Sequence, residues 1–235
     1  MIGVHNFKLI ILQGGVSDGK WSVDGNGGYG VINGTVRDVP SLQAPGFVKA
    51  SAGGKFRDVS QFLGGDLILR VRSATPEYAG FRISFVGDTW VPFHVCSSDG
   101  EPFAGNCFKA QFNVPAGDNF SEVRIPFDAF SDKWDIATGD LLRTCAEDPS
   151  VCPTAKDLRY IERIEIWGEG VNGDIHLEIQ SISAGESELK TAQEDQTYLV
   201  TFDGAPGTTF QWEELTDPVM VVAQHLHTKK NHKGT

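Results

Sequence analysis

Four cysteines, six histidines and five tryptophans carry most of the chemistry that spacing could organise in this 235-residue chain. The cysteines form two local pairs, Cys96 with Cys107 and Cys145 with Cys152, each inside a stretch rich in Gly, Pro and Asp. A disulfide there would supply ordering that a thin local core cannot. Free thiols and a metal site are the rival readings. Sequence proximity alone favours local pairing among the three possible connectivities. The spacings are wider than the Cys-x-x-Cys kind and no strands flank them with paired ligands, which argues against zinc. His94, close to Trp90 and Cys96, has the chemistry of a ligand or a base, against the plainer reading of a solvated loop histidine. His225, His227 and His232 could chelate a metal, but they stand in a polar, basic tail. Trp90 and Trp134 fall in loop-like stretches, where an exposed indole can stack on a sugar ring or a partner's side chain. The competing reading packs each of them over the edge of a sheet.

Nucleophile motifs are missing. The chain holds no GxSxG elbow and no HExxH run, and its carboxylates show no pattern that marks two as an acid–base pair. The run GGVSDGKW from Gly14 to Trp21 could cradle a phosphate only if a helix followed; none is expected, so it reads as a tight turn. The chain is therefore read as non-enzymatic, with no cofactor and no metal.

The elements that must position these residues are strands. Between Asp66 and Ser73, Leu67, Leu69 and Val71 alternate with Ile68, Arg70 and Arg72. Between Gly80 and Gly87, Phe81, Ile83 and Phe85 alternate with Arg82 and Ser84. A period of two puts the apolar set on one face and the arginines on the other. The turn from Ala74 to Ala79 is long enough to return the second strand beside the first. Ile164 and Ile166 alternate with Arg163 and Glu165, and Ile175, Leu177 and Ile179 with His176, Glu178 and Gln180. The GVNG run at Gly170–Gly173 reads as the hairpin turn between those two strands. Shorter strands are expected around Phe7–Leu12, Val31–Val36, Gly46–Ala50, Phe108–Val114, Glu122–Phe127 and Tyr198–Phe202. Lys55–Phe62 reads as an ordered loop or one helical turn. Asp88–Asn106 reads as a long loop, and Asp128–Asp157 as an ordered excursion. These add up to an all-β antiparallel β-sandwich, most simply a jelly roll, with a closed lipocalin-like barrel as the alternative. Charged residues should face outward throughout.

Composition agrees. A hydrophobic fraction of 40% supports one sizeable core, and 27 glycines with 11 prolines suit a turn-rich β chain. A formal net charge of −11 argues against a non-specific grip on nucleic acid or on an anionic membrane. The apolar run Leu9–Leu12 is too short for a span or a signal-peptide core, so neither membrane insertion nor a cleavable targeting segment is read there.

Several runs occur in a meaningful order: GGVSDGKW, the strand holding Gly34, APGFVKAS, FRDVSQF, GGDLILRVRS, YAGFRISF, VRIPFDAF and GDIHLEIQSISA. Over Gly14–Ala184 they resemble the complex I intermediate-associated protein 30 family. The resemblance implies a galactose-binding-like jelly roll and a protein-binding, assembly-factor or chaperone-like role. The partners it implies are subunits of a membrane respiratory or photosynthetic complex, which would put the protein in a mitochondrion or plastid. The cysteine loops lie outside that pattern. A carbohydrate-binding module using the loop tryptophans is the alternative function.

The family's opening run, Asp-Pro-Val-Met followed by Gly-Gly-x-Ser, is divided here. Asp217, Pro218, Val219 and Met220 end the recognisable sequence, whereas Gly14, Gly15 and Ser17 begin it. The expectation is one domain over 14–220, with a main body at 14–184 and a returning strand and motif at 198–220. The order is either circularly permuted or one frame of a tandem array. Tyr198–Phe202 should then pair within the sandwich, with Met220 close to Gly14. The flanks 1–13 and 221–235 stand outside the domain, and the tail is expected to be disordered.

Overall fold

The computed structural model describes residues 8–12, 15–87, 107–135, 137–187, 195–216 and 220–224. Its strands begin with β1 (Lys8–Leu12), β2 (Asp18–Asp24), β3 (Tyr29–Val36) and the two-residue β4 (Asp38–Val39) and β5 (Ala44–Pro45). Next come β6 (Phe47–Gly53), β7 (Asp66–Ser73), β8 (Phe81–Gly87), β9 (Cys107–Gln111) and β10 (Ser121–Pro126). The last are β11 (Ile161–Glu169), β12 (Gly173–Gly185), β13 (Gln196–Thr201), β14 (Trp212–Thr216) and β15 (Met220–Gln224). One short helix, α1 (Ala155–Arg159), is started by a capping box between Thr154 and Asp157. Among the described residues no helix is long and apolar enough to cross a membrane.

Two antiparallel sheets form a sandwich of jelly-roll type. The first is ordered β10-β7-β12-β3-β2, with β13 also paired to β12; the second is ordered β14-β6-β11-β8-β9. The chain passes from one sheet to the other between β3 and β6, where β4 and β5 intervene, and again at β6–β7, β7–β8, β9–β10, β10–β11, β11–β12 and β13–β14. The alternating apolar residues of both sheets meet in one core. Leu67, Leu69, Val71, Phe81, Ile83, Phe85, Ile164, Ile166, Leu177 and Ile179 all belong to it.

Two expected hairpins are therefore corrected. β7 and β8 do not lie side by side, because β7 pairs with β10 and β12 while β8 pairs with β9 and β11. The connection through Pro76 spans the roughly 10 Å between layers, so their apolar faces oppose each other across the core. The turn at Gly170–Gly173 is likewise an arch, linking β11 in the second sheet to β12 in the first. Alternation specifies a strand's faces but not its neighbour.

The C-terminal strands are part of the sandwich. β13 pairs with the second half of β12, and β14 pairs with β6. Trp21 stacks on Trp212 with ring centroids 4.6 Å apart, and Phe202 leans on both rings. β15 forms a two-stranded ribbon with β1, in which Met220 is opposite Leu12. Gly34 faces Gly19 on the β2–β3 ladder. A Cβ on Gly34 would lie 2.2 Å from the Asp18 carbonyl oxygen, so this rung admits no side chain.

Candidate functional site

The residues singled out from sequence are not gathered in one place. Trp134 is 2% exposed, and its indole N–H donates to the Ser131 carbonyl at 3.0 Å. It is a covering side chain and not an exposed stacking platform, because the excursion after β10 folds down onto the second sheet. Cys145 and Cys152 are joined by a disulfide within that excursion. Cys107 is also disulfide-bonded, to a partner outside the described residues. Ser17 is buried, exchanging hydrogen bonds with the Arg37 backbone, and Gly15 precedes it in the lead-in to β2. Trp90, His94, Cys96, Gly14, Asp217, Pro218 and Val219 lie outside the described residues, as do the histidines of the tail. Among the described residues no group of three His, Cys, Asp or Glu side chains could hold a metal ion.

The expectation that charged side chains face solvent fails on the second sheet. Arg82, Ser84, Lys109, Glu165 and Glu169 point away from the core yet are buried. Trp134 of the excursion lies by Arg82 and Lys109, and Gly139 sits against Glu169. The strand edge itself is covered, since Lys109 and Ser131 exchange backbone hydrogen bonds. Glu169 accepts from Lys109 Nζ at 2.6 Å and from Arg82 Nη1 at 3.3 Å. Glu165 accepts from Lys49 Nζ at 2.8 Å and from Ser84 Oγ at 2.9 Å, and pairs with Arg163 Nε at 3.2 Å. Lys109 also lies over the rings of Trp134 and Trp167. Burial lowers the Lys109 ammonium from its ordinary range, opposed by Glu169. Burial pushes the Glu165 carboxyl up, but Lys49 and Arg163 overcome it and hold it at about 2.

Each of these carboxylates is matched to cations on two sides, so the cluster is a structural network and not an acid–base pair. A carboxyl held lower in the fold than in the open chain stabilises the fold fully above its ordinary value near 4.5. That contribution is lost as pH falls from there toward 2. We expect Glu165 to contribute roughly 3 kcal/mol of acid sensitivity. Denaturant titrations at stepped pH should show a decline across that window that is reduced in Glu165→Gln.

The feature with the geometry of a binding site lies on the other face of the molecule. Along one edge of β12 two strands abut end to end. β3 pairs with Gly173–Ile179, and β13 pairs with Ser181–Gly185. Gln180 belongs to neither ladder. On the opposite edge Ile179 faces Val71 and Ser181 faces Arg70, so Gln180 is the extra residue of a β-bulge. Ile179 and Ile182 are both fully buried, leaving Gln180 and Ser181 together on the outer side. The turn that precedes β3 and the loop that follows β13 rise on either side of this break. Between them is an open cleft of about 810 Å³.

Both walls are internally braced. In the first, Asp24 Oδ1 accepts from the backbone N–H groups of Asn26 and Gly27, and Gly28 takes a positive φ of 68°. In the second, Asp203 Oδ1 accepts from Thr201 Oγ1 at 2.7 Å and Ala205 N at 3.0 Å. Those bonds hold the Asp203 carboxyl below its usual range. On the floor, Arg70 Nε donates to Gln180 Oε1 at 2.6 Å. Arg57 reaches in from the loop after β6 and donates to the Pro206 carbonyl at 3.2 Å. Tyr198, 44% exposed, presents its ring at the same cleft.

None of these cleft residues was identified from sequence as a site, although one signal was available. In Ile175-x-Leu177-x-Ile179-x-x-Ile182 the apolar spacing changes from two to three, which marks the bulge. The convergence of Arg57, Tyr198 and Asp203 depends on long-range pairing and left no local trace.

No family model matches the chain, and no curated protein matches it. Among solved structures it is similar to that of PfGH50B, at 16% identity and a TM-score of 0.39, over 77% of this chain and 23% of that one. An exo-beta-agarase is matched at 14% identity and a TM-score of 0.37, over 82% of this chain and 24% of that one. CtCBM11 is matched at 15% identity and a TM-score of 0.29, over 79% and 91% of the two chains. The chain thus spans about a quarter of the length of the first two. At these values the likeness assigns no function.

Proposed function

We propose that the protein is a non-enzymatic binding module that holds a carbohydrate chain in the cleft at the β12 bulge. The observation that carries this reading is an exposed Tyr198 ring beside planar polar side chains in one open cleft of about 810 Å³. A sugar ring offers an apolar C–H face to an aromatic ring and a rim of hydroxyls to amide, guanidinium and carboxylate groups. The cleft volume falls in the usual range for small-molecule sites, and its floor is a sheet, which limits rearrangement on binding. A non-catalytic role is supported by the lining. Asp203 is the one acid among the described residues there, whereas glycoside hydrolysis ordinarily takes two carboxylates. Its low-lying carboxyl is also a poor proton donor.

Tyr198→Ala tests the reading. Affinity electrophoresis against a panel of polysaccharides should show binding by the native chain and a loss of about tenfold in the variant. The melting temperature should change little, because Tyr198 is exposed and stands outside the buried core. Retention of full binding by Tyr198→Ala, or no binding by the native chain, would reject the proposal.

A second reading, an assembly domain that binds a subunit of a respiratory or photosynthetic complex, is favoured by a separate observation. Met220 pairs with Leu12, which brings the last residue of the C-terminal run beside the segment leading to Gly14. That proximity supports the family resemblance and a permuted or tandem order. Affinity capture from the source cells would favour it by recovering a membrane-complex subunit with the polysaccharide panel blank.

A further inference from the structure

We infer that the cleft selects acidic saccharides, those bearing carboxylate or sulfate groups, through Arg57 and Arg70. This rests on the carbohydrate reading above and narrows it to a class of ligand.

The chain carries 31 acidic residues against 20 Lys and Arg, so a guanidinium has no shortage of carboxylate partners. Every arginine outside the cleft has found one. Arg37, Arg72, Arg82 and Arg124 lie within 4.0 Å of a carboxylate oxygen, as do Arg143, Arg159 and Arg163. Arg57 and Arg70 are the exceptions among the described residues, and both line the cleft. Each is oriented by a neutral acceptor, the Pro206 carbonyl and the Gln180 amide respectively. A neutral acceptor fixes a guanidinium without cancelling its charge. The remaining N–H groups can then take an oxyanion, and a guanidinium fork suits carboxylate and sulfate alike.

Neighbouring rungs of the same sheet make the contrast direct. Arg72 sits two residues from Arg70 on β7 and faces Glu178 on β12, with which it forms an ion pair. Arg70 meets Gln180, the bulge residue, where an amide stands in place of a carboxylate. The two side chains differ in charge and hardly at all in shape. The cleft thus offers two cations against the single carboxylate of Asp203, on a molecule whose net charge is −11. A chain this acidic repels polyanions in general, so retention of one requires a local site.

Gln180→Glu is the decisive variant, since it supplies Arg70 with the partner that Arg72 already has while preserving the hydrogen bond. Affinity electrophoresis of the full chain would use two matched pairs of polymers: polygalacturonate with its methyl-esterified form, and dextran sulfate with dextran. Binding of a charged member should exceed that of its neutral counterpart by about tenfold, and should fall with added salt. Whichever pair discriminates identifies carboxylate or sulfate as the group recognised. Gln180→Glu and Arg57→Ala should each remove most of the preference, with melting temperatures no lower for Gln180→Glu. Equal binding of charged and neutral members would overturn the inference while leaving sugar binding in place. No binding to any polymer would overturn the carbohydrate reading as well. Polyanion binding that survives both substitutions would place recognition outside the cleft and overturn the inference.

Discussion

Glu169→Ala should destabilise the protein by about 3–5 kcal/mol, the usual effect of removing one partner from a buried ion pair. Glu169 accepts from Lys109 at 2.6 Å and Arg82 at 3.3 Å, and the Lys109 side chain is only 3% exposed. Once the carboxylate is gone, two buried cations remain with no carboxylate within ion-pair distance among the described residues, although Glu165 still acts on Lys109 from farther off. The lysine can release its proton, which lessens the penalty, but an arginine cannot. Urea unfolding should show the midpoint falling with little change in slope. Lys109→Met combined with Glu169→Met should recover part of the loss, because apolar residues of similar volume often replace a buried pair without cost. A midpoint for Glu169→Ala equal to that of the native chain would mean that the network carries no stability.

The larger effect is expected at Leu69. This side chain is 0% exposed, in the middle of β7, with Val123 on one neighbouring strand and Ile182 on the other. Leu69→Asp would put an unpaired carboxylate into the centre of the core, where neither water nor a cation can reach it without opening the sheets. The penalty is several kcal/mol or more, comparable with the whole stability of an ordinary domain. The variant should lack a cooperative melting transition and its near-ultraviolet dichroism. A soluble Leu69→Asp protein that melts cooperatively would show that the register is wrong, whereas Arg70→Ala one residue along should fold normally. That pair of results separates the inward face from the outward one at adjacent positions.

The inward faces were legible in the sequence because a half-buried strand leaves a period of two that no long-range information is needed to read. β7, β8, β11 and β12 are of this kind. Pairing was not legible, since β7 and β8 show the same alternation whether they lie side by side or in opposite layers. The burial of Arg82, Glu165 and Glu169 was hidden for a related reason. On an alternating strand a charge that faces water and a charge that faces a covering loop look identical, and the cover is supplied by residues remote in the sequence. Trp134 belongs to that cover, which is why its loop position misleads. The cleft was the least legible part. Its arginines read as ordinary outward charges, and only the lack of a carboxylate partner, a property of the whole fold, sets them apart.

The β12 bulge bears on how such a module could diversify. Losing the single codon for Gln180 would restore strict alternation from Ile175 to Ala184, because Ile179 and Ser181 already face adjacent residues of β7. The inward residues would keep their facing, while the break between β3 and β13 would close by one rung. The partner of Arg70 at the floor of the cleft is therefore separable from the folding core by a single in-frame deletion. In a sandwich built this way, the outward chemistry at the bulge can change by one residue without the hydrophobic interior having to be reinvented.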